Sequence, residues 1–294
     1  MAEGDGYSGS WGQKRWPAPK RKFSSLWSAT MSNRHLPAEL LDHIIDLVYD
    51  SRDALKSCCL VSKSWIPRTR KHLFADIGFT NTVLRSWKKT FLVPSTSPAC
   101  YTRVLLLMFP LAVAAADREE GGWISTFTHV ERLEVIATFA VDSTHWQGFS
   151  LAPLHGFSPV VKSLHLLFYA VPSSQVFNLI YSFPLLDNLS LTSYDSWTGD
   201  NNAFDGPTTA VQSSISPSFT GTLKFNVSVH EGFVASRLLS LPGSLHFRRL
   251  YFRLNRGEAG VSPITTLLEG CRFTLEFLKV DCDLTGTLVY HLCS

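Results

Sequence analysis

The sequence predicts a mixed α/β solenoid, parallel strands with intervening helices and loops, preceded by a small helical module. Three observations predict it. Seven short segments recur along the chain: YTRVLLL (101–107), HVERLEV (129–135), VVKSLHL (160–166), LLDNLSL (185–191), TGTLKFN (220–226), FRRLYFR (247–253) and LEFLKVD (275–281). Each alternates apolar and polar positions, the pattern of a half-buried strand. Their anchors Val104, Leu133, Leu164, Leu189, Leu223, Leu250 and Leu278 are separated by 29, 31, 25, 34, 27 and 28 residues. Such intervals suit a repeat that supplies one strand per unit and must stack on its neighbours to bury a core. Ahead of the repeats lies a different pattern, Leu36 to Ile77, with helical rather than alternating periodicity.

Residues 1–30 are rich in Gly, Ser, Pro and basic side chains and show no apolar period, so they are expected to form a disordered basic tail. Before Leu36 six basic residues face two acidic ones, a net +4 that leaves the rest of the chain at −1, since the whole carries +3. Lys14-Arg15 and Lys20-Arg21-Lys22 match a nuclear localisation pattern but read more simply as a solvated tail. Met31 is an alternative start.

In the stretch Leu36–Ile77, Pro37 suits a first helical position, where its missing N–H would be unpaired anyway. At ~100° per residue, Leu40, Leu41, Ile44, Ile45, Leu47 and Val48 share an arc of roughly 160°, wider than the ~100° stripe one core requires. The helix is therefore expected to bury against two surfaces. Asp50-Ser51 punctuates, and Leu55, Cys58, Leu60, Val61 and Trp65 follow before Pro67 and the closing Leu73-Phe74. A unit of 42 residues without a metal pattern or a feasible disulfide rarely folds on its own. Its missing stabilisation is expected from a partner, from the rest of the chain, or from both.

Residues 78–99 read as a linker with helical character around Val83–Lys89, and residues 100–294 as the irregular repeat domain. Ser174 ahead of Val176, Phe177, Leu179 and Ile180 predicts one helix between strands. Ser262-Pro263 followed by Ile264, Leu267 and Leu268 predicts another, with Gly270 as its stop. Phe233, Val234, Leu238 and Leu239 predict a third. Helices are weak between Val135 and Val160. A β-sandwich has recurring strands too, but at a tighter spacing of about 8–12 residues. Tyr194–Ser218 is a polar interruption, expected to be a disordered loop. The last dozen residues are largely apolar and offer no evident polar cap, so the C-terminus reads either as truncated or as a final strand or helix built on Leu288, Val289 and Leu292.

Leu36-Pro37, Glu39-Leu40-Leu41, Ile44-Ile45, Leu55, Cys58, Leu60-Val61-Ser62-Lys63 and Trp65, in this order and spacing, resemble an F-box, and the Cys58, Trp65, Arg70 and His72-Leu73-Phe74 flavour is similar to F-box proteins of mushroom-forming fungi. The repeats resemble leucine-rich repeats in degenerate form: of the Asn or Cys usually found five positions after the anchor, only Asn255 is present. The resemblance implies a three-helix module over residues 32–77 that docks a Skp-family adaptor and through it a cullin, with the repeats selecting a protein substrate for ubiquitination. It implies adaptor contacts at Leu36, Pro37, Leu40, Ile44, Leu60, Val61 and Trp65. The alternative is a leucine-rich-repeat interaction scaffold with no ligase role, its helical start serving as a cap.

Catalysis is not expected. Ten histidines are scattered without HExxH or His-x-Glu spacing, and no GxSxG, GxxxxGK[ST] or GxGxxG occurs. No cofactor or metal is implied. The six cysteines show no CxxC and read as thiols of a reducing compartment. No signal peptide is apparent, and the apolar run Val104–Ala116 falls short of the ~20 residues of a membrane helix. A chain body with no basic surplus argues against nucleic acid. A cytoplasmic or nuclear location is expected. His165, between Leu164 and Leu166, should point out of the core.

Overall fold

The computed structural model of the chain describes residues 37–91, 93, 96–110, 121–138, 151–157, 159–168, 173–193, 219–227, 235, 237–239, 245–254, 262–282 and 286–291. The expected basic tail and the polar stretch 194–218 lie outside the described residues.

Three helices come first: α1 (Ala38–Asp46), α2 (Arg52–Val61) and, after a 3-10 turn at Lys63–Trp65, α3 (Ile66–Leu73). Ser51 caps α2 by accepting from the Ala54 N–H at 3.4 Å. Ile45 and Leu55 are fully buried between the helices, over a fully buried Thr69 whose hydroxyl donates to the Trp65 carbonyl at 2.7 Å.

Nine strands then form one sheet in sequence order: β1 (Asp76–Phe79), β2 (Val104–Pro110), β3 (Arg132–Thr138), β4 (Ser163–Phe168), β5 (Asn188–Ser193), β6 (Thr222–Val227), β7 (Arg249–Leu254), β8 (Phe277–Cys282) and β9 (Gly286–His291). β1 to β8 run parallel and β9 turns back antiparallel along β8. The crossovers contain helices α4 (Asn81–Thr90), α5 (Ser173–Tyr181) and α6 (Ser262–Cys271), with 3-10 turns at Pro98–Tyr101, Gly121–Thr126 and Ala152–Phe157. The chain is thus an α/β protein built on a parallel sheet.

Register follows burial. One row runs Ile77, Leu105, Leu133, Leu164, Leu189, Leu223, Leu250, Leu278, and a second runs Phe79, Leu107, Val135, Leu166, Leu191, Phe225, Phe252, Val280. Both rows pack into a single cluster with Leu84 of α4, Phe127, Phe157, Phe177 and Ile180 of α5, Leu238, and Leu267 of α6. Burying each such side chain is worth roughly 2 kcal/mol. A slip of one residue would turn a whole row outward, so the rows lock the strands against one another.

A second regularity lies at the strand entrances. The Ala75 carbonyl accepts from the N–H groups of Arg103 and Val104, that of Arg103 from Glu131 and Arg132, and that of Glu131 from Lys162 and Ser163. Lys162, Gly221 and Arg248 each receive two consecutive N–H groups in the same way. Three residues before the inward leucines of β3, β4, β5 and β7, Val130, Val161, Leu186 and Phe247 are buried. Thr102 takes that place ahead of β2, fully buried, and its hydroxyl has no partner among the described residues.

Several expectations need correction. The first anchor is Leu105, not Val104: Leu105 pairs with Leu133, and Val104 pairs with Arg132 on the opposite face. A run of four apolar residues, Val104 to Leu107, does not show its own phase. Residues 78–99 are expected as a linker with helical character around Val83–Lys89; the helix is present over Asn81–Thr90, but Gly78 and Phe79 complete β1, and Trp87 meets Phe79 edge-on and stacks on Phe127, so the segment belongs to the core. Ile77, expected to end the helical module, pairs with Leu105. Gly270 does not stop its helix, which continues to Cys271. Of the expected helix at 233–239, Ala235 and residues 237–239 are helical among the described residues. The last apolar segment forms β9, which covers the free edge of β8.

Candidate protein-interaction surfaces

Two surfaces present side chains that the fold does not itself use. The first is on α1 and α2. Leu41, Ile45 and Val48 follow i, i+4, i+7 spacing and face inward, Ile45 completely. Leu40, Ile44 and Leu47 follow the same spacing one residue out of phase and are 50%, 41% and 69% exposed. At the end of α2, Leu60 is 88% and Val61 64% exposed. The wide apolar arc of the first helix therefore divides into an inner stripe that the module buries and an outer stripe that it leaves in water. Large aliphatic side chains exposed in such numbers on one small unit make this a candidate interaction surface.

Of the residues singled out in the sequence, Pro37, Leu40, Ile44, Leu60 and Val61 are exposed and Trp65, directly ahead of α3, is half-buried. Leu36 lies outside the described residues. Leu47, 69% exposed, continues the outer stripe, while the exposed Tyr49 lies beside His72. The motif did not include Leu47, although the helical arc already contained it.

The module holds its shape with a polar clamp. Asp46, at the end of α1, accepts from Arg68 Nε at 2.7 Å, from Arg68 Nη2, and from His72 Nε2 at 2.6 Å. Arg68 first and His72 second hold the Asp46 carboxyl well below the usual carboxylate range, and Asp46 in turn raises Arg68.

The second surface is the outward face of the sheet. Strand side chains alternate, so the residues between the buried rows point away from the core. Across β2, β3 and β4 this face presents Val104, Leu106, Met108, Ile136 and Leu167, with Arg132 and Glu134 paired to each other at 2.6 Å. Ser190 and Thr192 follow on β5. Across β6, β7 and β8 it presents Lys224, Arg249, Tyr251, Arg253, Phe277, Lys279 and Asp281. Parallel sheets are usually covered on both faces. Among the described residues those of one face stay exposed or half-buried, while the inward rows are buried from β1 to β7 and half-buried on β8.

His165 lies on this outward face as expected, half-buried. Burial first, then the Arg132 charge, lowers its pKa, so the imidazole is neutral near pH 7. The cations of β6–β8 went unnoticed in the sequence because 55 residues separate Lys224 from Lys279. A signal was present: Lys224, Tyr251 and Lys279 each directly follow an anchor leucine, as His165 and Glu134 do.

A polar cavity of about 390 Å³ opens at the entrance of β5 to β8, lined by Asp187, Asn188, Thr220, Gly221, Thr222, Arg248, Arg249 and Glu276. Most of its groups are spoken for. Asp187 accepts from the Thr220 hydroxyl at 2.6 Å, Asn188 Oδ1 accepts from the Thr222 N–H at 3.0 Å, and Arg248 lies 3.6 Å from Glu276. Among the described residues no group of His, Cys, Asp and Glu is arranged to hold a metal ion, and no helix is long and apolar enough to cross a membrane. The chain matches no family model, no curated protein and no solved structure.

Proposed function

We propose that the chain is a non-enzymatic F-box substrate adaptor of an SCF-type ubiquitin ligase. In this reading α1 to α3 form the F-box module, docking a Skp-family adaptor and through it a cullin. The sheet is the inner wall of an irregular leucine-rich-repeat-like solenoid that selects a protein substrate. The observation that carries it is the outer stripe Leu40, Ile44 and Leu47 with Leu60 and Val61, exposed on a module whose fully buried apolar residues are Ile45 and Leu55. A unit of this size gains its stability from what covers such a stripe. Parallel strands in sequence order and the repeated carbonyl contacts at their entrances support the solenoid part.

A scaffold without a ligase role is the second reading. It is favoured by the close attachment of the helices: two residues separate α3 from β1, and Ala75 begins the ladder of entrance hydrogen bonds. A cap, however, turns its apolar side chains toward the sheet it covers, and the stripe on α1 and α2 faces water.

Capture of a purified Skp-family adaptor by the full chain tests the choice. Pro37→Ala with Leu40→Ala, and separately Leu60→Ser, should each weaken capture, a central anchor being worth about 2 kcal/mol or more. No capture by the parent chain, or capture unchanged in both variants, overturns the ligase reading.

A further inference from the structure

We propose that the outward face of the sheet binds an extended protein segment bearing clustered Asp or Glu side chains at one end and an apolar side chain about six residues away. This rests on the reading of that face as the substrate surface and names the chemistry of the substrate.

Charge supplies the first half of the argument. On β6 to β8 the outward positions include the cations Lys224, Arg249 and Lys279 and the carboxylate Asp281. Lys279 and Asp281 neutralise each other at 3.2 Å. Among the described residues neither Lys224 nor Arg249 enters an ion pair. Lys224 lies 5.4 Å above the ring of Tyr251, which positions the ammonium without cancelling its charge. This end of the face is therefore positive and is complementary to carboxylates.

The other end differs. Leu106, Met108, Ile136 and Leu167 dominate β2 to β4, and the Arg132–Glu134 pair adds no net charge. Strands lie about 4.8 Å apart, so the four steps from β3 to β7 span about 19 Å. An extended chain at ~3.3 Å per residue covers that distance in about six residues. Ser190 and Thr192 on β5 lie between the two ends and offer hydroxyls to a passing backbone.

A nucleic acid fits less well. Its phosphates need cations all along the strand, and half of this face is aliphatic.

The test is selection of peptides from a random twelve-residue display library on the full chain. Enriched peptides should place two or more acidic residues about six positions from a Leu, Ile, Met or Phe. Enrichment should drop about tenfold or more on Lys224→Glu with Arg249→Glu, and in the same direction on the gentler pair Lys224→Gln with Arg249→Gln. No enrichment, enriched sequences without acidic bias, selection indifferent to both double variants, or displacement of the selected peptides by a random RNA pool overturns the proposal. Adaptor capture, scored on the same preparations, separates it from the ligase reading. If capture holds while peptide selection fails, only the present proposal falls; if selection holds while capture fails, only the ligase reading does.

Discussion

Asp46 and Arg68 are 22 residues apart in sequence, and the carboxylate of one accepts two hydrogen bonds from the guanidinium of the other. This contact ties the end of α1 to α3, and His72 joins it one turn further along. The geometry explains how helices with so few buried apolar residues keep a defined arrangement while a whole stripe stays in water.

Asp46→Asn should loosen the module and make its stability less dependent on acid. The carboxyl is depressed in the folded state. Its contribution is full above its ordinary range, near pH 4, and is lost as pH falls through the lower folded value. The gap between parent and variant, followed by amide hydrogen exchange in α1 and α3, should be open near pH 7 and close in strong acid. A constant gap would show that the charge is not what joins the helices.

Ile45→Ala should destabilise the helices by about 2 kcal/mol or more, because it leaves a cavity in a small core. Leu60→Ser, at an 88% exposed position, should change stability by no more than about 0.5 kcal/mol. Hydrogen exchange of the isolated chain distinguishes the two. Equal losses would mean that Leu60 is covered by the chain itself.

Thr102→Val should stabilise the chain. The buried hydroxyl lacks a partner among the described residues, and valine replaces it at nearly the same volume in a position where the next two units carry Val130 and Val161. A gain of about 1 kcal/mol is expected, read as a rise in midpoint of about 2–4 °C on thermal unfolding. A fall would reveal a hidden partner for the hydroxyl.

Gly221→Ala should cost about 1–3 kcal/mol. A Cβ there would lie 2.5 Å from Asp187 Oδ2 and 2.7 Å from Asn188 Oδ1, the oxygen that receives the Thr222 N–H. Asp187→Ala in the same chain should recover part of the loss, since it removes one of the two clashes. Independent, additive effects in denaturant titrations would refute the clash.

Cys100 should react with a thiol reagent in the native chain and Cys271 only on unfolding. Cys100 is exposed, whereas burial pushes the Cys271 thiol up to about 11. Mass spectrometry of partly labelled protein reads the order.

Strands β2 to β8 were legible because each announces itself locally. Leu133, Leu164, Leu189, Leu223, Leu250 and Leu278 were identified from alternation alone and form one continuous row. β1 was not legible, since its four residues follow directly on helical sequence, and Leu105 was missed because leucines on either side obscure the phase. For the helical module, the number of apolar residues was legible and their division was not. Leu40 and Leu41 are chemically identical neighbours, and only the position of α3 decides which one meets protein and which one meets water.

By itself the sequence determined the inward row from Leu133 to Leu278, the helices ahead of β5 and β8 and the surplus of apolar side chains near the start, because periodicity and spacing are properties of the local chain. The tertiary structure alone decided which apolar stripe stays exposed, and it brought Lys224, Arg249 and Lys279 onto one face. Both outcomes depend on contacts between residues distant in sequence, which no local pattern encodes.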